Sequence, residues 1–212
     1  MTTNATNAIL AQQVALENWT NVIANDLSNV NTDGYEGKDI IFSQFSTYLD
    51  GDEQSNLVED YGIYRNTKVG AIEQTNNDFD LALVSKEDYY AIQTAGGVRY
   101  TRKSHFILDE VIKDNMGNAL LSQDGGEVAI PAGTIISVDK KGRIFDQQGE
   151  FISQLQIVNF GGETQTLKEE EGPYFRADGI APIPSENPTV QQKYILNSNV
   201  SAHEKMRDMM LV

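Results

Sequence analysis

The residues of this chain that could carry chemistry are few and far apart. There are two histidines, His105 and His203, nearly a hundred positions apart, and no cysteine. Without cysteine there is no disulfide framework, no thiolate zinc site and no cysteine nucleophile. His105 sits in a strand-like stretch and His203 near the end, and neither belongs to a Ser-His-Asp or HExxH pattern; Walker A and GxGxxG strings are also absent. Carboxylates are plentiful at 31 Asp and Glu, so a carboxylate-pair hydrolase stays as a formal alternative, although an acidic chain makes such pairs by chance. "DNMGN" at 114–118 and "LDGDE" at 49–53 have the look of calcium loops. Neither has the D-x-[DN]-x-[DN]-G spacing with glutamate at the twelfth position, and both read as turns. The expectation is a protein with no catalytic residue, no cofactor and no metal.

Composition narrows the partners. The net charge of −15 argues against nucleic acid, whose phosphates need clustered Lys and Arg, and equally against an anionic membrane surface. No apolar run approaches the roughly 20 residues that cross a bilayer, so no direct membrane insertion is expected. The first basic residue is Lys38, which leaves no basic start for a secretory signal. The chain is expected to stay in the cytoplasm or to leave by a route that reads no cleaved signal. Acid is concentrated at Asp50, Asp52, Glu53, Glu59 and Asp60, a stretch without a basic residue, which reads as a solvated loop.

The elements divide the chain into parts. Ile9, Leu16, Ile23 and Val30 recur every seven residues, with Trp19 and Leu27 beside them. That period over about four heptads predicts a helix with a coiled-coil seam. Its filler is poor, because Asn at positions 4, 7, 18, 21, 25, 29 and 31 lowers helix propensity. Near the other end Asn187-Pro188 looks like a helix start, and Leu196, Val200, His203, Met206 and Met210 follow at 3-4-3-4 spacing. Between them, short β-rich runs such as "DFDLALV", "DYYAIQT" and "EFISQLQIVNF" are divided by turn signals at 96–97, 115–117, 124–126, 140–142 and 161–162. The expected fold is α+β, with N- and C-terminal helices pairing as a coiled coil around a central all-β, hairpin-rich domain. Residues 1–34 hold the first helix, 35–68 a connector with the acidic loop, 69–182 the β domain and 183–212 the last helix.

Five ordered segments carry a resemblance. "ANDLSNVNTDGY" at 24–35 resembles the N-terminal signature of the bacterial flagellar axial proteins, the rod and hook family, of the form A-N-N-L-A-N-x-x-T-x-G-F/Y. The matching residues are Asn25, Leu27, Asn29, Gly34 and Tyr35. Asp78–Val84 with Tyr89-Tyr90 is similar to the family's D-x-D-x-A-[VI] strand. "YTRKSHFILD" is similar to Y-T-R-x-G-x-F-x-x-D, through Tyr100, Thr101 and Arg102. "IPAGTIISVDKKGRI" and "EEEGPYFRADG" resemble the proximal rod branch, and "LNSNVSAHEKMRDMM" the terminal motif, through Ser198, Asn199 and Val200. Two departures stand out: Ser104-His105 replaces a Gly-Asp-like pair, and Asn197 stands where Glu is usual.

The resemblance implies a structural subunit of the flagellar basal-body rod and not an enzyme. It implies polymerisation through the terminal helices, passage through the flagellar type III export apparatus, a final place in the basal body across the periplasm, and torque transmission from motor to hook. The implied partners are copies of itself and other rod and axial proteins. The alternatives are a distal rod or hook-type subunit and, in another class, a secreted β-rich adhesin or binding module.

Overall fold

The structure, a computed structural model, describes residues 2–49, 53–131, 133–170 and 172–211. The chain forms two compact units. The first gathers Met1–Val30, Gly37–Asn66 and Val200–Val212; the second holds Asn31–Glu36 and Thr67–Asn199.

The first unit is built on helix α1, Thr2–Ser28. Ala15, Val22, Ile23 and Asp26 are its buried described residues, a stripe at helical period. They pack within the unit against an antiparallel hairpin, β1 (Lys38–Leu49) and β2 (Glu53–Arg65), and against the short helix α2 (Ala202–Met209). The asparagines that looked awkward close α1. Asn29 Nδ2 donates to the Asn25 carbonyl at 3.0 Å, and Ser28 Oγ donates to the same carbonyl at 2.7 Å. These side-chain donors add to the Asn29 backbone N–H, which reaches the same carbonyl at 3.2 Å, and so tie down the final turn.

The second unit is built of strands, with a short 3-10 turn at Glu163–Thr166. It begins with β3 (Ile72–Gln74), β4 (Leu81–Leu83), β5 (Tyr89–Thr94) and β6 (Gly97–Thr101). β7 (Ile107–Asp109), β8 (Val111–Lys113) and β9 (Ala119–Leu120) follow. Next come β10 (Ser137–Val138), β11 (Arg143–Phe145), β12 (Phe151–Gln154) and β13 (Ile157–Asn159). β14 (Lys168–Glu169), β15 (Tyr174–Arg176), β16 (Ile183–Pro184), β17 (Val190–Gln192) and β18 (Tyr194–Leu196) complete it. The main sheet runs β14-β15-β6-β5-β9-β8-β7, with β13 on β5 and β16 on β13; β10-β11-β12, β17-β4 and β18-β3 form smaller sheets.

β5 is the keel. Tyr89, Tyr90, Ala91 and Ile92 are all fully buried, as a strand covered on both faces requires. Their alternation splits the core in two. Tyr90 and Ile92 join Leu81, Phe106 and Ile144, while Tyr89 and Ala91 join Tyr100, Phe160 and Phe175. Edge-to-face ring pairs hold both layers, with Tyr90–Phe106 at 5.6 Å and Tyr89–Phe175 at 5.5 Å.

The expected terminal coiled coil is not found among the described residues. Residues 190–196, read as helix at 3-4 spacing, are strands β17 and β18, paired in register with β4 and β3. Val190, Tyr194 and Ile195 are residue types that suit a pleated surface, and Lys193 with φ 68° breaks any helix between them. The helix starts only after Ser201, whose side chain accepts the Glu204 N–H at 3.4 Å. Ser-x-x-Glu is a capping box. The eight residues of α2 give two turns, too few for a seam that needs three or four heptads. Helix α1 meanwhile lays its buried stripe on the unit's own hairpin. The fold is strand-rich, with two α-helices among the described residues.

Candidate functional site

The residues that could carry catalysis are structural. His105 Nδ1 lies 2.7 Å from Asp80, which also accepts from Thr75 and Asn77, and His203 is exposed on α2. "DNMGN" is a turn closed by Asp114. Its buried carboxylate accepts the N–H groups of Met116 (2.8 Å) and Asn118 (3.0 Å) and the Tyr174 hydroxyl (2.5 Å). Burial raises the Tyr174 pKa above its ordinary value, and the Asp114 carboxylate pushes it the same way. Such a phenol holds its proton and works as a donor. Among the described residues no group of three or more His, Asp or Glu could hold a metal. "LDGDE" runs through positions 50–52, outside the described residues.

What the chain does build is a clamp that joins its motifs. Asn31–Glu36, the end of the N-terminal signature, belongs to the β-rich unit. Gly34 adopts φ +67° and donates its N–H to the Leu196 carbonyl at 2.7 Å. A Cβ there would stand 2.2 Å from the Arg102 carbonyl oxygen, so the strap lies flush on the Thr101–Ser104 backbone. Asp33 Oδ2 accepts the N–H groups of Ser104 (2.7 Å) and His105 (3.0 Å). Tyr35 is buried, and its carbonyl accepts the Asn199 N–H at 3.3 Å.

The deepest contact is ionic. Glu36 lies 3.5 Å from the Arg102 guanidinium, with both side chains within 3% of full burial, and accepts the Tyr89 hydroxyl at 3.2 Å. Arg102 also donates to the carbonyls of Lys86 (3.0 Å), Asp88 (2.9 Å) and Leu83 (3.3 Å). Ser104, one of the two departures from the family pattern, is a bridge. Its N–H donates to Asp33, and its Oγ accepts the Leu196 N–H at 2.8 Å. A glycine there would keep the first bond and lose the second. Asn199 Nδ2 donates to the Lys68 carbonyl at 2.8 Å, Ser198 is half-buried beside it, Thr101 Oγ donates to Pro173, and Tyr100 packs edge-to-face on Phe160. Three motifs from both ends and the middle of the chain therefore meet at one place.

The first unit has its own anchor. Asp26 is fully buried, accepts the Lys38 N–H at 3.2 Å and pairs with Lys205 Nζ at 2.9 Å; Lys205 also reaches the Lys38 carbonyl at 2.7 Å and Asp39 at 3.4 Å. Burial works against the Lys205 charge, but Asp26 and then Asp39 outweigh it and hold the ammonium pKa above its ordinary value. The sign follows from the raised folded value. The contribution to stability is whole below the unfolded lysine pKa of about 10.4 and is lost as pH rises through the higher folded one. Lys205→Met is expected to lower stability by about 2 kcal/mol at pH 7, the cost of leaving a buried carboxylate short of a partner. In urea titrations of both proteins the gap should close above pH 11 or so. An unchanged gap there would remove the ion pair as its cause.

The seam residues are scattered. Ile23 is buried; Leu16, Trp19, Leu27 and Val30 are half-buried, and the side chain of Ile9 lies outside the described ones. Leu196 is buried in β18, in the other unit, and Val200 precedes α2. Met206 and Met210 are exposed. Asn25 and Asn29 close α1. Asp33 and Glu36 carry the clamp without having stood out in the sequence, and Ser104 stood out only as a departure from the family pattern. The one signal was two acids flanking Gly34-Tyr35.

No family model matches the chain. Curated relatives do. It is 27% identical over 93% of its length to the flagellar basal-body rod protein FlgF of Caulobacter vibrioides, covering 82% of that protein. It is 26% identical over 96% of its length to FlgF of Rhizobium meliloti, covering 85%. The flagellar hook-basal body complex protein FlhP of Bacillus subtilis is 25% identical over 92% of the chain, with 84% of that protein covered. With a strand-built body and its motifs clamped together, the chain is a structural subunit of the bacterial flagellar basal-body rod and not an enzyme. Its likeness is to FlgF, the proximal rod protein, and its place is the flagellar basal body. No described helix is long and apolar enough to cross a membrane.

Proposed function

We propose that this subunit joins the rod through the apolar residues its first unit leaves in water, while the clamp keeps the signature segment locked into the β-rich unit. One observation carries this. Leu10 (59% exposed) and Val14 on α1, and Met206, Met209, Met210 (85% exposed) and Leu211 at the end, present apolar side chains in the first and last segments of the chain. Apolar surface left exposed in this way marks a contact site. Residues 1–34 and the end of 183–212 then serve assembly, 35–68 connect, and 69–182 form the body. Contacts of this kind between unlike faces are heterologous and build open helical arrays. The neighbours are copies of this chain and other axial proteins. The subunit reaches them through the flagellar type III export apparatus, adds in the periplasm and passes torque from motor to hook.

The variants Leu10→Glu and Met210→Glu test this. Both positions face solvent, so each should change folding stability by no more than about 0.5 kcal/mol. Each should nevertheless remove the subunit from purified basal bodies and stop swimming. Normal incorporation of both variants would overturn the proposal.

A further inference from the structure

The small sheet β10-β11-β12 has two unlike faces. Val138 and Ile144 point into the core, with Ile152 packed against it. On the other side Phe145 and Phe151 stand opposite each other in register and meet edge-to-face at 6.1 Å, and the Arg143 guanidinium lies 5.5 Å from the Phe145 ring. Phe151 is 59% exposed. The turn leading into β11 adds Lys140 and Lys141, both exposed. Arg143 is paired with Asp139, while neither lysine has an ion-pair partner among the described residues.

An aromatic pair in water beside available cations has the anatomy of an interface, apolar at its centre and charged at its rim. A cross-strand aromatic pair stabilises a hairpin by up to about 1 kcal/mol and needs no lysines beside it. In a chain of net charge −15, "DKKGR" at 139–143 is locally basic, with three cations to one anion. Its complement is an acidic strand or turn.

This chain carries such a segment. Asp50, Asp52, Glu53, Glu59 and Asp60 fall in the stretch that ends β1 and opens β2, without a basic residue among them. We infer that the acidic segment 50–60 of a second copy docks on the Lys140–Lys141–Phe145–Phe151 face, so that the β-rich unit of one copy meets the first unit of the next, in addition to the contacts of the terminal segments. This rests on the rod reading. Because the two surfaces differ, the contact repeats from copy to copy instead of closing a pair. Opposite charges steer the approach, and the rings exclude water at the centre.

The natural absence of cysteine gives a clean test. The full-length double variant Gln54→Cys/Ser137→Cys is placed in cells, and basal bodies are purified and treated with a short bis-maleimide. Ser137 lies opposite Phe145, and Gln54 sits within the acidic segment. Adducts at twice the chain mass and higher multiples are expected, absent from each single variant. Adding Lys140→Glu/Lys141→Glu should remove most of the adduct, and adding Asp50→Lys/Asp52→Lys as well should restore it. An adduct only at monomer mass, an adduct to a different protein, or one indifferent to the charge reversals would overturn the inference, as would no adduct with the chain present in basal bodies. A chain absent from basal bodies would overturn the rod reading beneath it.

Discussion

Gly34→Ala should lower the stability of the β-rich unit by more than about 4 kcal/mol, which is exceptional for one methyl group. Two effects add. Left-handed backbone at φ +67° costs a residue with a Cβ about 1–2 kcal/mol. The new carbon would also stand 2.2 Å from the Arg102 carbonyl oxygen and 2.7 Å from the Lys103 nitrogen, backbone atoms that cannot swing aside as a side chain can. The strap must lift. Lifting it breaks the Gly34–Leu196 hydrogen bond and the two N–H bonds to Asp33, and exposes Tyr35. Reburying a side chain of that size is worth about 2 kcal/mol by itself. Urea unfolding of the full chain followed by circular dichroism reads the change. A loss below about 1 kcal/mol would show that the strap is not clamped.

Arg102→Met is expected to cost about 3–5 kcal/mol, because it strands a buried carboxylate. Glu36 loses its cation, and the carbonyls of Leu83, Lys86 and Asp88 lose their donors, all inside the unit. Arg102→Lys should fall between, since an ammonium keeps the charge but lacks the planar fork that reaches several acceptors at once. The double variant Arg102→Met/Glu36→Gln should recover part of the loss, because the stranded charge is then gone. Strict additivity of the two changes would rule out direct coupling between these side chains.

Much of this architecture was written in local signals. The turn strings at 96–97, 115–117, 124–126, 140–142 and 161–162 all contain a glycine with positive φ between strands. α1 was readable from its period, but the heptad line through Ile9, Leu16, Ile23 and Val30 is not its buried stripe. Ala15, Val22 and Asp26 share that role with Ile23, because the hairpin decides which face of the helix is covered. The C-terminal segment misled because apolar residues at 3-4 spacing also suit two short strands with a break at Lys193. The edges that receive them lie at 72–83, more than a hundred positions away. The helix starts after Ser201, with Glu204 three residues on, and not at the Asn187-Pro188 read as its start. The clamp was legible as three motifs but not as one site. Asp33 reaches Ser104 across 71 positions and Leu196 reaches Ser104 across 92, distances over which no sequence period operates.

The most direct test of the rod reading is microscopy of basal bodies purified from cells in which this chain is tagged or deleted. The tag should label the rod, between motor and hook, and deletion should leave basal bodies with the rod incomplete and no hook. Complete, hook-bearing rods without the chain, or a tag found away from the rod, would contradict it.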